Sequence, residues 1–260
     1  MENYSDIITS KDNPGIRLIK KLMTSKKERI KRQQFVLEGA RIVHDALKSG
    51  ADIKKIYAAK GALEKYGERL SGSEYTVISD NLSAAISDTL NTQGVFAVCS
   101  MLSAGGELPV LKKGGRYAVL SQLQDPGNAG MIIRTADALG LDGVIFSESC
   151  DIYNPKTVRA TMGSIFRIPV YHEVSSDILF ERLKEAEIPS YAAVVDDNAA
   201  SVSDMTFDKG GAVFIGNEGN GLSEEIQGMC SKSITIKMTG NTESLNAAMA
   251  AGIIMWELMK

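Results

Sequence analysis

The second half of the chain alternates short apolar segments with amphipathic ones. The apolar segments run for five to seven residues between glycine or polar residues, which predicts strands at 117–123, 143–147, 167–173, 190–196, 211–217 and 233–238. Helical spacing of apolar residues predicts helices between them, at 128–140, 155–164, 177–187 and 222–230. Nearly continuous apolar strands separated by helices are typical of a parallel sheet covered on both faces, so the predicted fold class is α/β.

The first half alternates in the same way over shorter elements. An apolar segment at 35–39 precedes a helical stretch near 40–49, and the pattern further predicts strands at 53–59, 75–79 and 94–101 and helices at 63–70 and 81–87. Residues 102–115 combine glycine, proline and charge without a period, which is typical of a linker. We therefore predict a small α/β domain at 1–101, a linker at 102–115 and a larger domain at 116–260.

The last segment, 243–260, is predicted to form one helix. Its apolar residues fall on one stripe at helical spacing, formed by Leu245, Ala248, Met249, Gly252, Ile253 and Trp256. Such a stripe is typical of the side of a helix that faces the core. The alternative is that part of the stripe forms a subunit interface.

Charge is distributed unevenly along a chain whose net charge is −3. Residues 11–32 hold nine basic residues against Asp12 and Glu28, a net of +7, so the rest of the chain sums to −10. A basic segment on an acidic body favours a polyanionic partner. The alternative is a helix face that only meets solvent.

Cysteine, histidine and hydropathy narrow the classes of function. Cys99, Cys150 and Cys230 lie far apart and the histidines are His44 and His172, so neither a zinc site nor a disulfide framework is expected. No apolar run reaches the roughly 18 residues that span a bilayer, and the first residues lack the apolar stretch of a signal peptide. We expect a cytoplasmic protein that uses neither a metal nor a membrane.

Ligands of parallel sheets bind beyond the carboxyl ends of the strands, and three polar loops follow three predicted strands. The first loop begins at Gln124, where Pro126-Gly127 predicts a turn and Asn128 is predicted to cap the next helix. Arg134 comes about two turns into that otherwise apolar helix. Its guanidinium suits a phosphate or carboxylate partner, and the alternative is a structural salt bridge.

The second loop covers 214–222 and holds three glycines within six residues, which allows the backbone to pass close to a ligand. The order of the glycines, GxxGxG, matches neither the dinucleotide-binding pattern nor a P-loop. Glu218 lies at a predicted helix start, where a carboxylate also favours the helix dipole. Alone, this loop predicts no more than a tight strand-to-helix turn.

The third loop covers 236–248, and in it Ser244 and Asn246 flank Leu245 at the predicted start of the last helix. Free backbone N–H groups at a helix start can hold an anion or a carboxylate. Ordinary capping by Thr242 or Ser244 is the alternative.

Taken together, the three loops resemble the motifs of a known family. The order NxGxxxR, then GxEGxG, then SLN, each after a strand, looks like the three motifs of the SpoU/TrmH family, which are AdoMet-dependent RNA ribose 2′-O-methyltransferases of the SPOUT class. This resemblance covers about 116–260. More loosely, the basic start and FVLEGARIVHDAL at 35–47 are similar to the RNA-substrate-binding domain that precedes the catalytic domain in many members.

The resemblance implies a catalytic domain with a deep trefoil knot, a smaller ribosomal-protein-like α/β RNA-binding domain before it, and a homodimer formed through the C-terminal domain. It implies S-adenosyl-L-methionine (AdoMet) as the cofactor, held in the loops by Gly216, Gly221, Ile236, Met238 and Leu245. The catalytic site that it implies consists of Asn128, Arg134, Glu218, Ser244 and Asn246.

Each of these catalytic residues has an implied role. Arg134 would fix the phosphate and stabilise the alkoxide that develops on the 2′-hydroxyl. Asn128 and Ser244 would orient Arg134 or the substrate. Asn246 would lie near the cofactor and target, and Glu218 would hold the loop architecture or a substrate group.

The expected substrate is structured RNA, with 23S ribosomal RNA as the first expectation and transfer RNA as the alternative, by analogy with the family. The residues assigned to RNA binding lie in the basic segment: Lys20, Lys26, Lys27, Arg29, Lys31 and Arg32.

Two other hypotheses compete with this one. A non-catalytic RNA-binding protein of the same fold predicts decayed motifs, whereas all the motif residues are present. A nucleotide-binding enzyme that uses 216–221 as a phosphate loop predicts a Lys and a Ser or Thr after the glycines, whereas Leu222-Ser223 follows.

Overall fold

The computed structural model of this 260-residue chain describes residues 7–102 and 105–260. Residues 1–6 of the predicted N-terminal domain and residues 103–104 of the predicted linker lie outside the described residues. The chain divides into two compact units that are not continuous in sequence. Unit 1 consists of Met1–Leu102 with Tyr153–Phe166, and unit 2 of Ser103–Ile152 with Arg167–Lys260.

Residues 7–102 form one small sheet with helices. The strands are β1 (Gln34–Glu38), β2 (Ile53–Ala59), β3 (Thr76–Ile78) and β4 (Val95–Ser100). The helices are α1 (Pro14–Thr24), α2 (Lys26–Arg32), α3 (Ala40–Ser49), α4 (Lys60–Tyr66) and α5 (Asp80–Ile86), and a 3₁₀ turn spans Gly67–Leu70. The strand order is β1-β4-β2-β3, in which β4 pairs antiparallel with β1 and β2, while β2 and β3 are parallel.

The chain from residue 116 onward alternates strands and helices. The strands are β5 (Arg116–Ser121), β6 (Gly143–Ser147), β7 (Val170–Tyr171), β8 (Ser190–Ala193), β9 (Ala200–Ser201), β10 (Gly211–Ile215) and β11 (Lys232–Thr235). The helices are α6 (Pro126–Leu139), α7 (Pro155–Ala160), α8 (Ser176–Glu185), α9 (Glu224–Met229) and α10 (Ala247–Met259), with 3₁₀ turns at Ser164–Phe166 and Val202–Asp204. Helix α7 belongs to unit 1, and the other helices of this set belong to unit 2.

The sheet of unit 2 is parallel, with the strand order β7-β6-β5-β10-β8-β11-β9. Its central strands are buried along their length, and Val119, Ile145 and Phe214 are at most 1% exposed. Leu179 of α8 and Ile226 of α9 belong to the same apolar cluster. The parallel pairings confirm the predicted α/β class and parallel sheet. The strands are apolar at nearly every position because helices cover a parallel sheet on both faces.

Several element boundaries differ from the sequence prediction. Of the strand predicted at 167–173, only the two residues of β7 (Val170–Tyr171) are in a strand. Strand β9 was not predicted. The last helix begins at Ala247 rather than at 243. The reason is that the side chain of Asn246 caps it, accepting hydrogen bonds from the backbone N–H of Ala248 at 3.0 Å and of Met249 at 3.2 Å.

The predicted core stripe of the last helix is wrong except at Ala248. The side of α10 that faces the core consists of Ala248, Ala251, Ile254, Met255 and Leu258. Met249 and Trp256, which the sequence placed in the core, are 57% and 56% exposed. The apolar residues of this helix surround it, so their spacing alone does not identify the buried side.

Candidate active site

The three polar loops leave the sheet of unit 2 at its carboxyl edge. They follow β5, β10 and β11 in chain order. Strands β5 and β10 are parallel neighbours, and the chain moves away from β5 through β6 to β7 before it crosses to the other side. A reversal of strand order of this kind leaves a crevice beyond the strand ends, where ligands bind.

Glu218 joins the second loop to the first. Its Oε1 accepts hydrogen bonds from the backbone N–H of Asp125 at 2.9 Å and from Nδ2 of Asn128 at 3.0 Å. Its Oε2 accepts a hydrogen bond from the backbone N–H of Gln124 at 3.0 Å. The carboxylate therefore fixes the loop after β5, and it does not lie at a helix start, because α9 begins at Glu224.

These hydrogen bonds change the acidity of Glu218. Partial burial acts to raise the pKa of the carboxyl, because burial disfavours the charged form. The hydrogen bonds from Asn128 and from the backbone of Gln124 and Asp125 outweigh that effect and hold the pKa below its usual value. Glu218 is therefore an ionised acceptor at neutral pH.

Asn128 connects this carboxylate to the third loop. Its Nδ2 donates to Glu218, and its Oδ1 accepts a hydrogen bond from Nδ2 of Asn246 at 3.0 Å. The Oδ1 of Asn246 accepts from the first turn of α10. One chain of hydrogen bonds, the Glu218–Asn128–Asn246 relay, thus joins all three motif loops.

The structure corrects the capping predictions for these loops. Helix α6 is capped by Asp125, whose Oδ1 accepts hydrogen bonds from the backbone N–H of Gly127 at 2.5 Å and of Asn128 at 3.1 Å. Asn128 lies inside the first turn, which frees its side chain for the relay. Sequence reasoning missed Asp125, although an acceptor residue directly before Pro126 is the usual signal for a helix start.

The second loop is a compact turn that depends on Asn217 and Gly216. Asn217 donates from Nδ2 to the carbonyl of Gln122 at 3.1 Å, and its Oδ1 accepts hydrogen bonds from the two backbone N–H groups of Gly219 and Asn220. A Cβ on Gly216 would lie 2.3 Å from the carbonyl carbon of Gly221. No residue other than glycine fits there, because the backbone of the turn closes on itself.

A cavity of about 490 Å³ lies beside this turn in unit 2. All five residues predicted to hold the cofactor line it: Gly216, Gly221, Ile236, Met238 and Leu245. Glu218 and Ser244 line it as well. Its volume lies within the range of about 300–1,000 Å³ that small-molecule sites occupy.

The remaining predicted catalytic residues are placed differently. Ser244 is exposed and precedes α10, so it does not cap that helix. Arg134 is exposed on α6 and forms no hydrogen bond or ion pair with any residue that the structure describes. The structural salt bridge considered as its alternative is therefore absent within residues 7–102 and 105–260, and the guanidinium is available to a ligand.

The predicted RNA-binding segment forms α1 and α2 of unit 1. Lys26, Lys27, Lys31 and Arg32 are exposed on α2, and Lys20 of α1 is half-buried. Arg29 is a correction to the prediction. It is 3% exposed, and its Nη1 donates hydrogen bonds to the carbonyl oxygens of Leu22 at 2.5 Å and Met23 at 3.4 Å at the end of α1.

Within the described residues no group of three or more acidic, cysteine or histidine side chains is arranged to hold a metal ion. Among the helices of the same residues, none combines the length and the apolar character that a membrane crossing requires.

Comparison with known proteins identifies the family. Residues 115–256 match the SpoU rRNA Methylase family, and residues 13–97 match the MRM3-like substrate binding domain. The chain is 33% identical over 252 residues to the 23S rRNA (guanosine(2553)-2′-O)-methyltransferase RlmP of Bacillus subtilis, covering 96% of this chain and 98% of that protein. The chain belongs to the SpoU rRNA methylase family.

Solved structures of SpoU-type proteins share the fold over nearly the whole chain. The AdoMet-bound rRNA methyltransferase from Sinorhizobium meliloti is 29% identical, with a TM-score of 0.84 and 96% of each chain covered. The SpoU methyltransferase AviRb from Streptomyces viridochromogenes in complex with AdoMet is 26% identical, with a TM-score of 0.85 and 95% of this chain and 97% of that chain covered. The family that the motif order predicted is therefore confirmed.

Proposed function

We propose that this chain transfers a methyl group from AdoMet to the 2′-hydroxyl of one ribose in 23S ribosomal RNA. The observation that carries the proposal is the Glu218–Asn128–Asn246 relay, because it joins all three motif loops beside one ligand-sized cavity. The name of the Bacillus subtilis relative supports ribosomal RNA as the substrate. Transfer RNA is the alternative substrate.

The residues around the cavity fit AdoMet. Ile236, Met238 and Leu245 offer apolar surface to an adenine ring, while Gly216 and Gly221 let backbone groups reach the polar edges of a ligand. When bound, AdoMet would supply a methyl group on a positively charged sulfur, and the neutral thioether S-adenosylhomocysteine would leave as the ribose oxygen bonds to the methyl carbon and the carbon–sulfur bond breaks. Calorimetric titration should show binding of AdoMet and none of ATP, and the opposite result would favour a nucleotide-binding enzyme.

Arg134 is proposed to act on the target ribose. Free guanidinium stays charged up to a pH of about 12 or above, so it is poorly suited to be the base that takes the proton. As a cation it can pair with the adjacent phosphate and stabilise the alkoxide that develops on the 2′-oxygen, while the proton leaves to phosphate or water. Its exposure without an internal partner among the described residues supports this role.

The decisive experiment measures methyl transfer from radiolabelled AdoMet to purified ribosomal RNA and transfer RNA. We expect wild-type protein to label 23S ribosomal RNA, and Arg134→Ala to label it about 100- to 1,000-fold more slowly while its melting temperature and AdoMet affinity stay unchanged. Mapping of ribose methyls in RNA from cells with and without the gene then locates the nucleotide. Labelling by Arg134→Ala at the wild-type rate would refute the role assigned to Arg134. Labelling of transfer RNA alone would mean that transfer RNA, and not 23S ribosomal RNA, is the substrate.

The exposed basic residues of α2 are proposed to hold the RNA backbone. Replacing Lys26, Lys27, Lys31 and Arg32 by alanine should weaken RNA binding and flatten its dependence on salt, with a slope lower by roughly 3. An unchanged slope would remove α2 from the interface. The half-buried Lys20 is expected to contribute less.

The proposed enzyme is a homodimer formed through helices α6 and α10. Met131 of α6 and Met249 and Trp256 of α10 are each more than half exposed, although they are large and apolar. A Cβ on Gly252 would lie 3.8 Å from the methyl group of Thr135, so the two helices are in contact. Exposed apolar side chains on adjoining helices are typical of a self-association surface.

Light scattering tests this dimer. Wild-type protein should have twice the mass of the chain, and Trp256→Glu should shift it towards a monomer. Val110→Glu is the matched control, because Val110 is 78% exposed in unit 2 and lies outside both helices. A dimer that survives Trp256→Glu would exclude this surface.

The proposal includes the domain organisation and location of the enzyme. We propose a substrate-binding domain at 1–101, a linker at 102–115 and a catalytic domain at 116–260 that contains a deep trefoil knot, working in the cytoplasm. The family matches at 13–97 and 115–256 support these boundaries. Residues Tyr153–Phe166 are the exception in the structure, since they group with unit 1.

A further inference from the structure

Unit 1 contains a cavity of its own, of about 220 Å³, that the proposed methyl transfer does not use. Three segments form it: the end of β1 with the first turn of α3, the loop between α5 and β4, and the last turn of α7 with the residues after it. The lining residues on which the inference depends are Arg41, Ile42, Asn91, Gln93, Arg159 and Met162.

The base of this cavity is held in place by a buried carboxylate. The side chain of Glu38 is 4% exposed and accepts hydrogen bonds from the hydroxyl of Ser87 and from Oγ1 of Thr89 at 3.2 Å. It also pairs with Nη1 of Arg159 at 3.1 Å, and Nη2 of that residue pairs with Asp88 at 3.0 Å. These contacts join the loop between α5 and β4 to β1 and α7, and the charge of Arg159 is already balanced by two carboxylates.

The rim of the cavity offers hydrogen-bond donors that are unused within the part of the chain that the structure describes. Oε1 of Gln93 accepts a hydrogen bond from the backbone N–H of Ala40 at 2.7 Å, and its Nε2 donates to none of the described residues. Arg41 and Asn91 form no hydrogen bond or ion pair with any of the residues described. Gly39 keeps the rim open, because its φ is +123° and a Cβ there would lie 3.2 Å from the amide of Gln93.

The walls are apolar, and two apolar side chains are exposed at their edge. Leu90 is fully exposed between two lining residues, and Met162 is 38% exposed. Met162 also has a φ of +49°, a left-handed conformation that side chains other than glycine adopt only at a cost in free energy. The exposed thioether side chain of Met162 therefore offers apolar surface at the cavity.

We infer that this cavity binds one unpaired base of the RNA substrate. Leu90 and Met162 contact the faces of the base, Asn91 and Gln93 hydrogen-bond to its edge, and Arg41 contacts a neighbouring phosphate. Unpaired bases of RNA are recognised in this way, by contact on their faces and hydrogen bonds on their edges. A free phosphate fits less well, because the walls are apolar and the second arginine is neutralised by two carboxylates.

The inference rests on the proposed function, since the ligand is the proposed substrate. A cavity that binds a base predicts a loss of affinity that does not depend on salt, whereas a surface that binds RNA phosphates predicts a loss that does. The variants Leu90→Ala, Asn91→Ala and Met162→Gly remove no charge, so each should raise the Kd for a 23S ribosomal RNA fragment at least about 5-fold without changing its salt slope. Arg41→Ala should lower the slope by about 1.

Chemical probing of the RNA bases supplies a second readout. Wild-type protein should protect one unpaired base of the fragment from dimethyl sulfate or a carbodiimide, and Asn91→Ala should leave that base reactive. Asn81→Ala is the matched control, because Asn81 is exposed in unit 1 and does not line the cavity. Met162→Gly should keep the wild-type melting temperature, since glycine tolerates the left-handed backbone, so weaker binding by this variant is not a consequence of unfolding.

The outcomes separate the two proposals. Wild-type methylation of the fragment together with unchanged affinity in all three uncharged variants would overturn the inference and leave the proposed function standing. Weaker binding by the variants with an unchanged salt slope and loss of one base protection would support it. If the wild-type protein neither binds nor methylates 23S ribosomal RNA, the proposed function fails and the inference fails with it.

Discussion

Replacing Asn128 by aspartate tests the relay most directly. The amide of Asn128 bonds to both other members of the relay: Nδ2 donates to Glu218 at 3.0 Å and Oδ1 accepts from Asn246 at 3.0 Å. Asn128→Asp keeps the size and the acceptor towards Asn246. It replaces the donor towards Glu218 by a second carboxylate oxygen, so an attraction becomes a repulsion.

The cost can be worked out from the geometry. Two unit charges at that separation of 3.0 Å repel by about 5.5 kcal/mol at an effective dielectric constant of 20 and by about 1.4 kcal/mol in water. Glu218 is exposed and Asn128 half-buried, so solvent screening brings the repulsion towards the lower value. With about 1 kcal/mol for the lost hydrogen bond, we expect Asn128→Asp to destabilise the protein by about 2–3 kcal/mol at pH 8.

The pH dependence separates repulsion from simple loss of a contact. In the wild type the pKa of Glu218 is lowered in the folded state, so its contribution to stability is present above its unfolded value of 4.5 and is lost as pH falls through the folded-state pKa. In Asn128→Asp the two carboxylates raise the pKa of the pair in the folded state. Its destabilisation is therefore greatest at pH 8 and shrinks as pH falls towards 5.

Urea denaturation of wild type, Asn128→Asp and Asn128→Ala at pH 8 and pH 5 measures these free energies. Asn128→Ala removes the hydrogen bonds without adding charge, so its destabilisation should not depend on pH between 5 and 8. Asn81→Asp adds the same charge at an exposed position and should change stability by less than about 0.5 kcal/mol. Equal destabilisation by the aspartate and alanine variants at pH 8 would refute the contact between the two side chains.

Three further predictions concern Gly216 beside the cavity of unit 2, Arg29 of the basic segment, and Cys150. Gly216→Ala should abolish AdoMet binding in calorimetry and destabilise by about 1–3 kcal/mol because its Cβ meets backbone at 2.3 Å, whereas Gly228→Ala has open space and should be tolerated. Arg29→Ala should lower stability by about 2–3 kcal/mol in thermal melting, because two carbonyl groups lose a buried donor, whereas Lys27→Ala should have little effect. Burial first, and then nearby carboxylates, raise the pKa of Cys150 to about 11, so its alkylation followed by mass spectrometry should be slow at pH 8, and rapid labelling there would contradict this environment.

The fold was largely predictable because the strands of unit 2 are apolar on both faces. A segment such as Gly143–Ser147 is buried at every position, and its limits in the structure coincide with those of the apolar run. The last helix could not be predicted as well. Its apolar residues lie all around it. The cap was expected at Thr242 or Ser244, whereas the structure uses Asn246, whose Nδ2 also donates to Asn128, 118 residues away in sequence.

The composition of the site could be predicted, but its connections could not. Motif order pointed to the loops and to the residues that line the cavity, including Ile236 and Leu245, which their residue types alone would assign to the core. The cap by Asp125 was missed although its signal, an acceptor residue before Pro126, is local. The role of Asn217 was not visible in the sequence, because its Nδ2 bonds to the carbonyl of Gln122, 95 residues away. Arg29 was misassigned for a related reason: its charge is visible in the sequence, whereas its burial depends on the end of α1.

Glu218 and Arg134 illustrate why two charged motif residues should respond differently to mutation. A carboxylate has about four acceptor sites, and three of those of Glu218 are taken by its own chain, so its main effect is to hold the loops. None of the five donors of Arg134 is used within the described residues, so its capacity is left for a ligand. Loss of Glu218 should therefore lower stability and activity together, whereas loss of Arg134 should lower activity alone. A pair of alanine variants with the reverse pattern would mean that the carboxylate, and not the guanidinium, meets the RNA.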